Sequence, residues 1–393
     1  MAVNDFTFNQ LSSVLNSIQE QATGKSALAP VDTASFVTVA QETLKNAGYD
    51  PVLGAISQIM SKTIFSNRPY ERKFKGLQVS NIQYGNHVRK LNPIDKSFEE
   101  EARLTLTDGQ TIDQYTVNKP GVLQTNFYGA NIFEKSVTIF KDQLDSAFSG
   151  PNEFGQFMTM VMTNASDQIE QAHENVARAT LANFMMGKIK GDTANVVHLV
   201  TEYKAAIGDT TSTLADLYKP DKFPGFMKWI SARIMSISSL MTERSVKYHM
   251  NIANKEIMRH TPYSRQKVYL YAPNRYEANS MVLADTFHDN YLKLADNETV
   301  NFWQSIDTPD TINVQPIYLD VTTGGLKSET AAATQANIFG VIFDEEAIGY
   351  TVVNESVDLT PYNAKGRYWN QFWHFTDRYW NDFTENGVIL LLD

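Results

Sequence analysis

One apolar stripe constrains this sequence more than any other feature. From Asn152 to Met186 the residues Phe154, Phe157, Met158, Val161, Met162, Ala165, Ile169, Ala172, Val176, Ala179 and Met186 fit one face of a helix, entered after Gly150-Pro151 and stopped by Gly187. Only Gly155 interrupts it. As one helix the segment is about 52 Å long at ~1.5 Å per residue, well beyond the ~12 residues of an average helix. A helix of that length acts as a spine and needs a second layer along its apolar face.

Residues 1–66 carry three shorter stripes. Leu11, Val14, Leu15, Ile18 and Ala22 precede Gly24; Phe36, Val39, Ala40, Leu44 and Ala47 precede Gly48; and Val52, Leu53, Ile56, Ile59 and Met60 follow the capping pair Asp50-Pro51. Each stripe is narrow. Three such helices can form a small bundle or an arm lying across other subunits, and the arm is the expectation. Residues 67–130 are more polar and strand-like, with a charged stretch from Glu99 to Arg103. Leu104, Leu106, Ile112 and Tyr115 flank Asp108-Gly109, a pair suited to a tight turn. An isolated two-stranded excursion is marginal in water, so it must lie on something else.

Residues 195–345 alternate strands and helices. Val268 to Tyr271 form a β-rich run ended by Pro273-Asn274, a helical pattern covers Glu277 to Phe287, and Thr311 to Leu319 and Asn337 to Phe343 read as strands. Tyr350, Val352 and Val353 follow. The aromatic block Tyr368, Trp369, Phe372, Trp373, Phe375, Tyr379 and Trp380 comes next, and Val388 to Leu392 read as a buried terminal strand. The fold class is α+β.

Composition narrows the function classes. A 42% hydrophobic and 20% charged chain can bury a core, while a net charge of −10 argues against a protein that grips phosphate backbones over a broad surface. Without cysteine there is no disulfide, thiolate or cysteine metal site. No stretch approaches the ~20 apolar residues of a membrane span, and Met1 to Gln21 lacks the pattern of a signal peptide. A soluble intracellular product with no membrane partner is expected.

The familiar catalytic motifs are incomplete in this sequence. Gly187-Lys188 is followed by Ile189, without the hydroxyl residue that a phosphate loop supplies to magnesium, and His173-Glu174 lacks a second zinc ligand because Ala177 stands at the fifth position. Asp344, Glu345 and Glu346 read as a helix start, where carboxylates complement the dipole. The seven histidines show no metal-ligand spacing. The aromatic block could stack on sugars or bases, but reads better as core, with aromatics on both faces of a strand between the long helix and a second layer. No catalytic, cofactor-binding or metal-ligating residue is assigned, and the chain is read as no enzyme.

Two segments carry a family resemblance: Gly121-Val-Leu-Gln-Thr-Asn-Phe-Tyr-Gly129, leading through Asp142 to Phe148 into the long helix, and Gly366-Arg-Tyr-Trp-Asn-Gln-Phe-Trp-His374, ending in Val388 to Leu392. With the order of parts, they resemble the Hong Kong 97-like fold of tailed-bacteriophage major capsid proteins, closest in appearance to those of small short-tailed phages with protein-primed genomes. The resemblance implies an N-terminal arm (1–66), an extended loop (67–130), a peripheral domain with spine helix and returning strand (131–194 and 346–393) and an axial domain (195–345). It also implies self-assembly into pentamers and hexamers around double-stranded DNA, and a portal protein. The acidic chain is expected to touch that DNA only weakly and non-specifically. Because the arm is short and the spine starts by about position 152, where the family often has a cleaved scaffolding segment, a separate scaffolding protein is expected. The expected location is the virion capsid, assembled in the host cytoplasm. The alternative is another virion component, such as a tail or connector protein.

Overall fold

The three N-terminal stripes become three helices, α1 (Phe8–Thr23), α2 (Thr33–Ala47) and α3 (Tyr49–Lys62). The computed structural model of the chain describes residues 8–24, 30, 32–62, 73–79, 88–94, 101–113, 115, 117, 119, 121–128, 130–252, 257–277 and 297–393. Helix α2 starts where it does because Asp32 accepts the backbone N–H of Ser35 at 2.8 Å while the Ser35 hydroxyl accepts that of Asp32 at 3.0 Å, a reciprocal cap worth about 1 kcal/mol. Of the two arrangements open to these stripes, the described residues form the bundle. Leu11, Leu15, Ile18, Phe36, Ala40, Val52, Leu53 and Ile56 share one buried cluster with Ile139, Leu144, Phe148, Phe154, Phe157 and Trp369. Each stripe is too narrow to close alone, and the start of the long helix supplies the missing surface, with Phe36 and Phe154 ring centroids 5.9 Å apart. Asp50 is tied in as well, accepting the Trp369 indole N–H at 2.6 Å.

The chain divides into two compact units. The first comprises 1–84, 130–176 and 351–378, the second 85–129, 177–350 and 379–393. Between the N-terminal helices and the long helix run β1 (Val88–Ile94), β2 (Gly121–Phe127), β3 (Ala130–Phe140) and α4 (Lys141–Ala147). The spine is α5 (Pro151–Gly191), a single helix as the stripe predicts. The side chains of Met158, Val161, Met162 and Ala165 lie outside the described residues, as do the helical pattern at 278–287 and the charged residues Glu99 and Glu100. Gly187 does not stop the helix. A Cβ there would sit 2.6 Å from the Phe383 ring and 2.9 Å from Tyr318 Cβ, so this glycine serves close packing instead of a C-cap.

Unit one contains the sheet made by β12 (Ile348–Leu359), β13 (Tyr368–Asn381) and β3, with β13 in the middle. Strands β13 and β3 pair from Tyr368↔Phe140 to Arg378↔Ala130. Alternation then sorts the aromatic block. Trp369, Gln371, Phe375 and Asp377 are buried, whereas Tyr368, Asn370, Phe372, His374 and Thr376 on the other face are only partly covered. The expectation of a core on both faces is corrected: the chain itself provides a layer for one face.

Unit two contains β4 (Val196–His198), α6 (Leu199–Ile207), α7 (Leu214–Leu217), α8 (Phe223–Met241), β5 (Gln266–Tyr271) and β6 (Asn297–Val300). It continues with the short strands β7 (Ile312–Val314), β8 (Ile317–Leu319), β9 (Leu326–Ser328) and β10 (Ala333–Gln335), then β11 (Ile338–Asp344) and β14 (Gly387–Leu391). Five strands form one sheet in the order β4-β14-β11-β5-β6. Every residue of β11 and β14 is buried, because Val268, Leu270, Ile342, Val388 and Leu390 meet Phe226, Ile230 and Ile234 of α8 on one face. On the other, Phe184 of α5 stacks on Phe383 at 5.4 Å and meets Phe343 at 6.2 Å. The terminal strand is thus buried as expected, but it lies inside this sheet, between β4 and β11, and does not join β12 and β13. An apolar run without alternation needs cover on both faces, and this sheet offers it.

The three acids at 344–346 also differ from the sequence reading. They form the turn between β11 and β12, closed by Ala347 N–H donating to Asp344 O at 2.8 Å, and no helix follows.

Replacing Gly187 by Ala tests the packing account against intrinsic propensity. Alanine favours a helix by about 1 kcal/mol, whereas forcing a methyl group against Phe383 and Tyr318 costs about 1–3 kcal/mol. G187A is expected to melt lower than the parent chain in thermal denaturation, and a higher melting temperature would show that the contact is not tight.

Candidate functional site

Among the described residues the surface that stands out is the β1–β2 hairpin. Its strands pair from Val88↔Phe127 to Ile94↔Gly121. The expected turn is present at its far end, where Gln110 N–H donates to Thr107 O at 3.1 Å and Gly109 takes φ 87°. The strands are not where the flanking apolar residues suggested. Leu104 lies in a short 3-10 turn, while Leu106 and Ile112 are in irregular backbone. The paired segments are more distant from the turn, so the excursion is longer and its tip less regular than a tight hairpin.

Apolar side chains along the excursion face solvent. Leu104, Tyr115 and Val117 are 73%, 82% and 78% exposed, and Leu91, Ile112, Val122 and Tyr128 are exposed too. Scattered exposed apolar residues are ordinary, but a run of them in one segment marks an interaction surface. Alternation gives the hairpin two faces. Arg89, Leu91, Val122, Gln124 and Asn126 are exposed, while Lys90, Asn92, Leu123, Thr125 and Phe127 are partly or fully covered.

The covered face is held by charge. Lys90 Nζ lies 2.6 Å from Glu385 Oε1, 3.0 Å from Asp382 Oδ2 and 3.0 Å from Glu346 Oε2. Arg259 Nε reaches Glu385 at 3.2 Å, and Arg265 pairs with Glu345 at 2.8 Å and with Glu346. Burial opposes the charge on Lys90, but Asp382 and Glu385 outweigh it and raise its pKa above the ordinary lysine range. Burial raises the carboxyl pKa values of Glu385 and Asp344. For Glu346, burial is overcome by bonds to Arg265 and Lys90, and its pKa is lowered. The acids that resemble a catalytic pair in sequence are thus absorbed by cations.

Other titratable groups are structural. His173, the residue of the incomplete zinc helix, is buried between the Phe133 and Phe375 rings with its Nδ1 2.8 Å from Asp377 Oδ2. His374 stands 3.6 Å from both Glu134 and Asp358. Among the described residues no group of three or more His, Asp or Glu is placed to hold a metal ion, and no helix is long and apolar enough to cross a membrane. Sequence reasoning missed the Lys90 cluster, since its members lie almost three hundred residues apart and no local spacing signals them.

An N-terminal helical layer, a long hairpin, a spine helix and two sheets in this order define a capsid chain of the Hong Kong 97-like fold. A chain in the structure of the head fiber and inner core protein gp22 of native bacteriophage P68 is similar, with TM-score 0.56 and 11% identity over 84% of this chain and 87% of that one. One in the capsid structure of Staphylococcus phage Andhra gives TM-score 0.52 and 13% identity over the same shares. No curated protein sequence matches. The profile of the family described as Phi29-like phage major capsid protein matches residues 15–391, and the chain belongs to that family. It is a major capsid protein, a subunit of the shell of a phage head.

Lys188 yields a prediction for the anchor region. It is fully buried on α5, 3.7 Å from Asp192 Oδ2 and within 3.5 Å of the Tyr248 and Phe383 carbonyl oxygens. Burial lowers its pKa from 10.5 to about 8. The folded state therefore releases this proton earlier than the unfolded chain. The penalty is fully present below pH 8 and vanishes as pH rises toward the unfolded value. It amounts to roughly 3 kcal/mol at ~1.4 kcal/mol per unit. In chemical denaturation from pH 7 to pH 10 the parent chain should gain stability relative to Lys188→Met. A difference that does not change with pH would refute the buried charge.

Proposed function

We propose that this capsid protein builds its shell from hexamers and pentamers in which the β1–β2 hairpin of one subunit lies on its neighbour. The observation that carries this reading is the run of exposed apolar residues from Leu91 to Tyr128. Such surface is costly in a free subunit and gains cover only from another molecule. A weak contact repeated around a closed shell becomes strong by multiplicity. In this reading the unit holding β3, β12 and β13 is the peripheral domain, and the unit holding the five-stranded sheet is the axial domain.

The shell encloses double-stranded DNA, and the net charge of −10 supports a wall to which packaged DNA does not adhere. A separate scaffolding protein directs assembly in the host cytoplasm, and a portal occupies one vertex. The phage is of the small short-tailed kind with a protein-primed genome, the kind whose capsid proteins the segments Gly121 to Gly129 and Gly366 to His374 resemble. The chain works without catalysis: its close carboxylates are paired with Lys90, Arg259 and Arg265.

The test is to replace residues 95–120 by a short Gly-Ser link, keeping β1, β2 and Lys90. The variant should melt as the parent subunit does and form no closed particles in negative-stain micrographs. Closed shells from that variant would overturn the role given to the hairpin.

A further inference from the structure

Lys90 does more than neutralise a surface acid. Of the two oxygens of Asp382, Oδ1 accepts the backbone N–H of Thr384 at 2.9 Å and its hydroxyl at 2.6 Å. Oδ2 is 3.0 Å from Lys90 Nζ. The Asp382 side chain is only 1% exposed, so water does not replace the ammonium group. Glu385 and Glu346 have second cations in direct contact, Arg259 and Arg265, whereas Asp382 is in direct contact with Lys90 and feels Lys188 at longer range. Seen from the hairpin, Lys90 is the one charged side chain on the covered face among the described residues of β1 and β2, because Arg89 points to the exposed side.

We propose that Lys90 is a latch: its ammonium group clamps the hairpin to the carboxylates of Glu346, Asp382 and Glu385 and thereby sets the direction in which Leu91, Val122 and Tyr128 are presented to a neighbouring subunit. The second half of the statement rests on the proposed role of the hairpin in assembly. The geometry suits a latch better than a core contact. Both carboxylate groups of the 382–385 segment belong to the turn that leads into β14, a wholly buried interior strand of its sheet, so the hairpin is referenced to a closely packed part of its unit. A single cation in contact with three carboxylates holds one angle firmly. Losing it leaves buried negative charge that repels itself.

The experiment uses full-length, unassembled subunits of Lys90→Met and of Lys90→Arg, followed by amide hydrogen exchange. K90M should exchange at least about tenfold faster over 88–94 and 121–127, with 338–344 and 387–391 unchanged, while K90R keeps most of the protection. If K90M folds poorly, the double variant K90M/D382N removes the uncompensated carboxylate and should restore the melting transition with the hairpin still loosened. Unchanged exchange over 88–94 in a folded variant overturns the latch. A loosened hairpin in subunits that still form normal closed shells overturns its role in presentation. The 95–120 replacement keeps Lys90, so failure of the assembly reading is distinguished from failure of the latch.

Discussion

Burial of β14 between β4 and β11 is the contact on which the second unit depends. Its partners come from distant parts of the chain, with Ile389↔Val196 and Leu391↔His198 parallel on one side and Val388↔Ile342 and Leu390↔Gly340 antiparallel on the other. Val388, Ile389, Leu390 and Leu391 are each 1% exposed or less. At ~1.5–3 kcal/mol for each fully buried side chain, the four contribute on the order of 6–12 kcal/mol, comparable with the whole stability of a typical domain. The strand therefore decides whether the sheet exists, and short local elements such as β8 and β9 do not.

Charge is organised around the entrance to that strand. The segment from Asp382 to Asn386 is buried although it is polar, and partners approach it from several directions. Arg259 Nε donates to Thr384 O at 3.0 Å, His249 Nδ1 lies 3.2 Å from Asn386 Oδ1, and Asn386 donates to the Thr261 hydroxyl at 3.1 Å. Lys188 approaches from α5 and Lys90 from the hairpin. Buried polar networks are costly when incomplete and specific when complete. This one fixes a turn against which the hairpin, the part with the most exposed apolar surface, is oriented.

Much of the architecture was legible because it is written in local periodicity. The stripe from Phe154 to Met186 announced α5, the aromatic block from Tyr368 to Trp380 read as a strand, and the apolar run Val388 to Leu392 read as a buried one. What failed depended on contacts between distant residues. Gly187 reads as a stop until Phe383 and Tyr318 are seen to fill the space a Cβ would need. Glu345 and Glu346 read as a helix start until Arg265 claims them. That Phe154, Phe157 and Trp369 complete the three narrow stripes of 1–66 was likewise not visible in those stripes. The family was recognisable from two segments, whereas the Lys90 anchor was not, since a lysine, two turns and a strand carry no joint signature in one dimension.

A subunit with a well-packed sheet and an uncovered apolar excursion is built to be completed by copies of itself. Comparing amide hydrogen exchange in purified closed particles and in free subunits of the parent chain tests that claim most directly. The account predicts strong added protection over 101–128 on assembly and none over 338–344 and 387–391, which are already buried in the single chain. Equal exchange over 101–128 in particles and free subunits would contradict it.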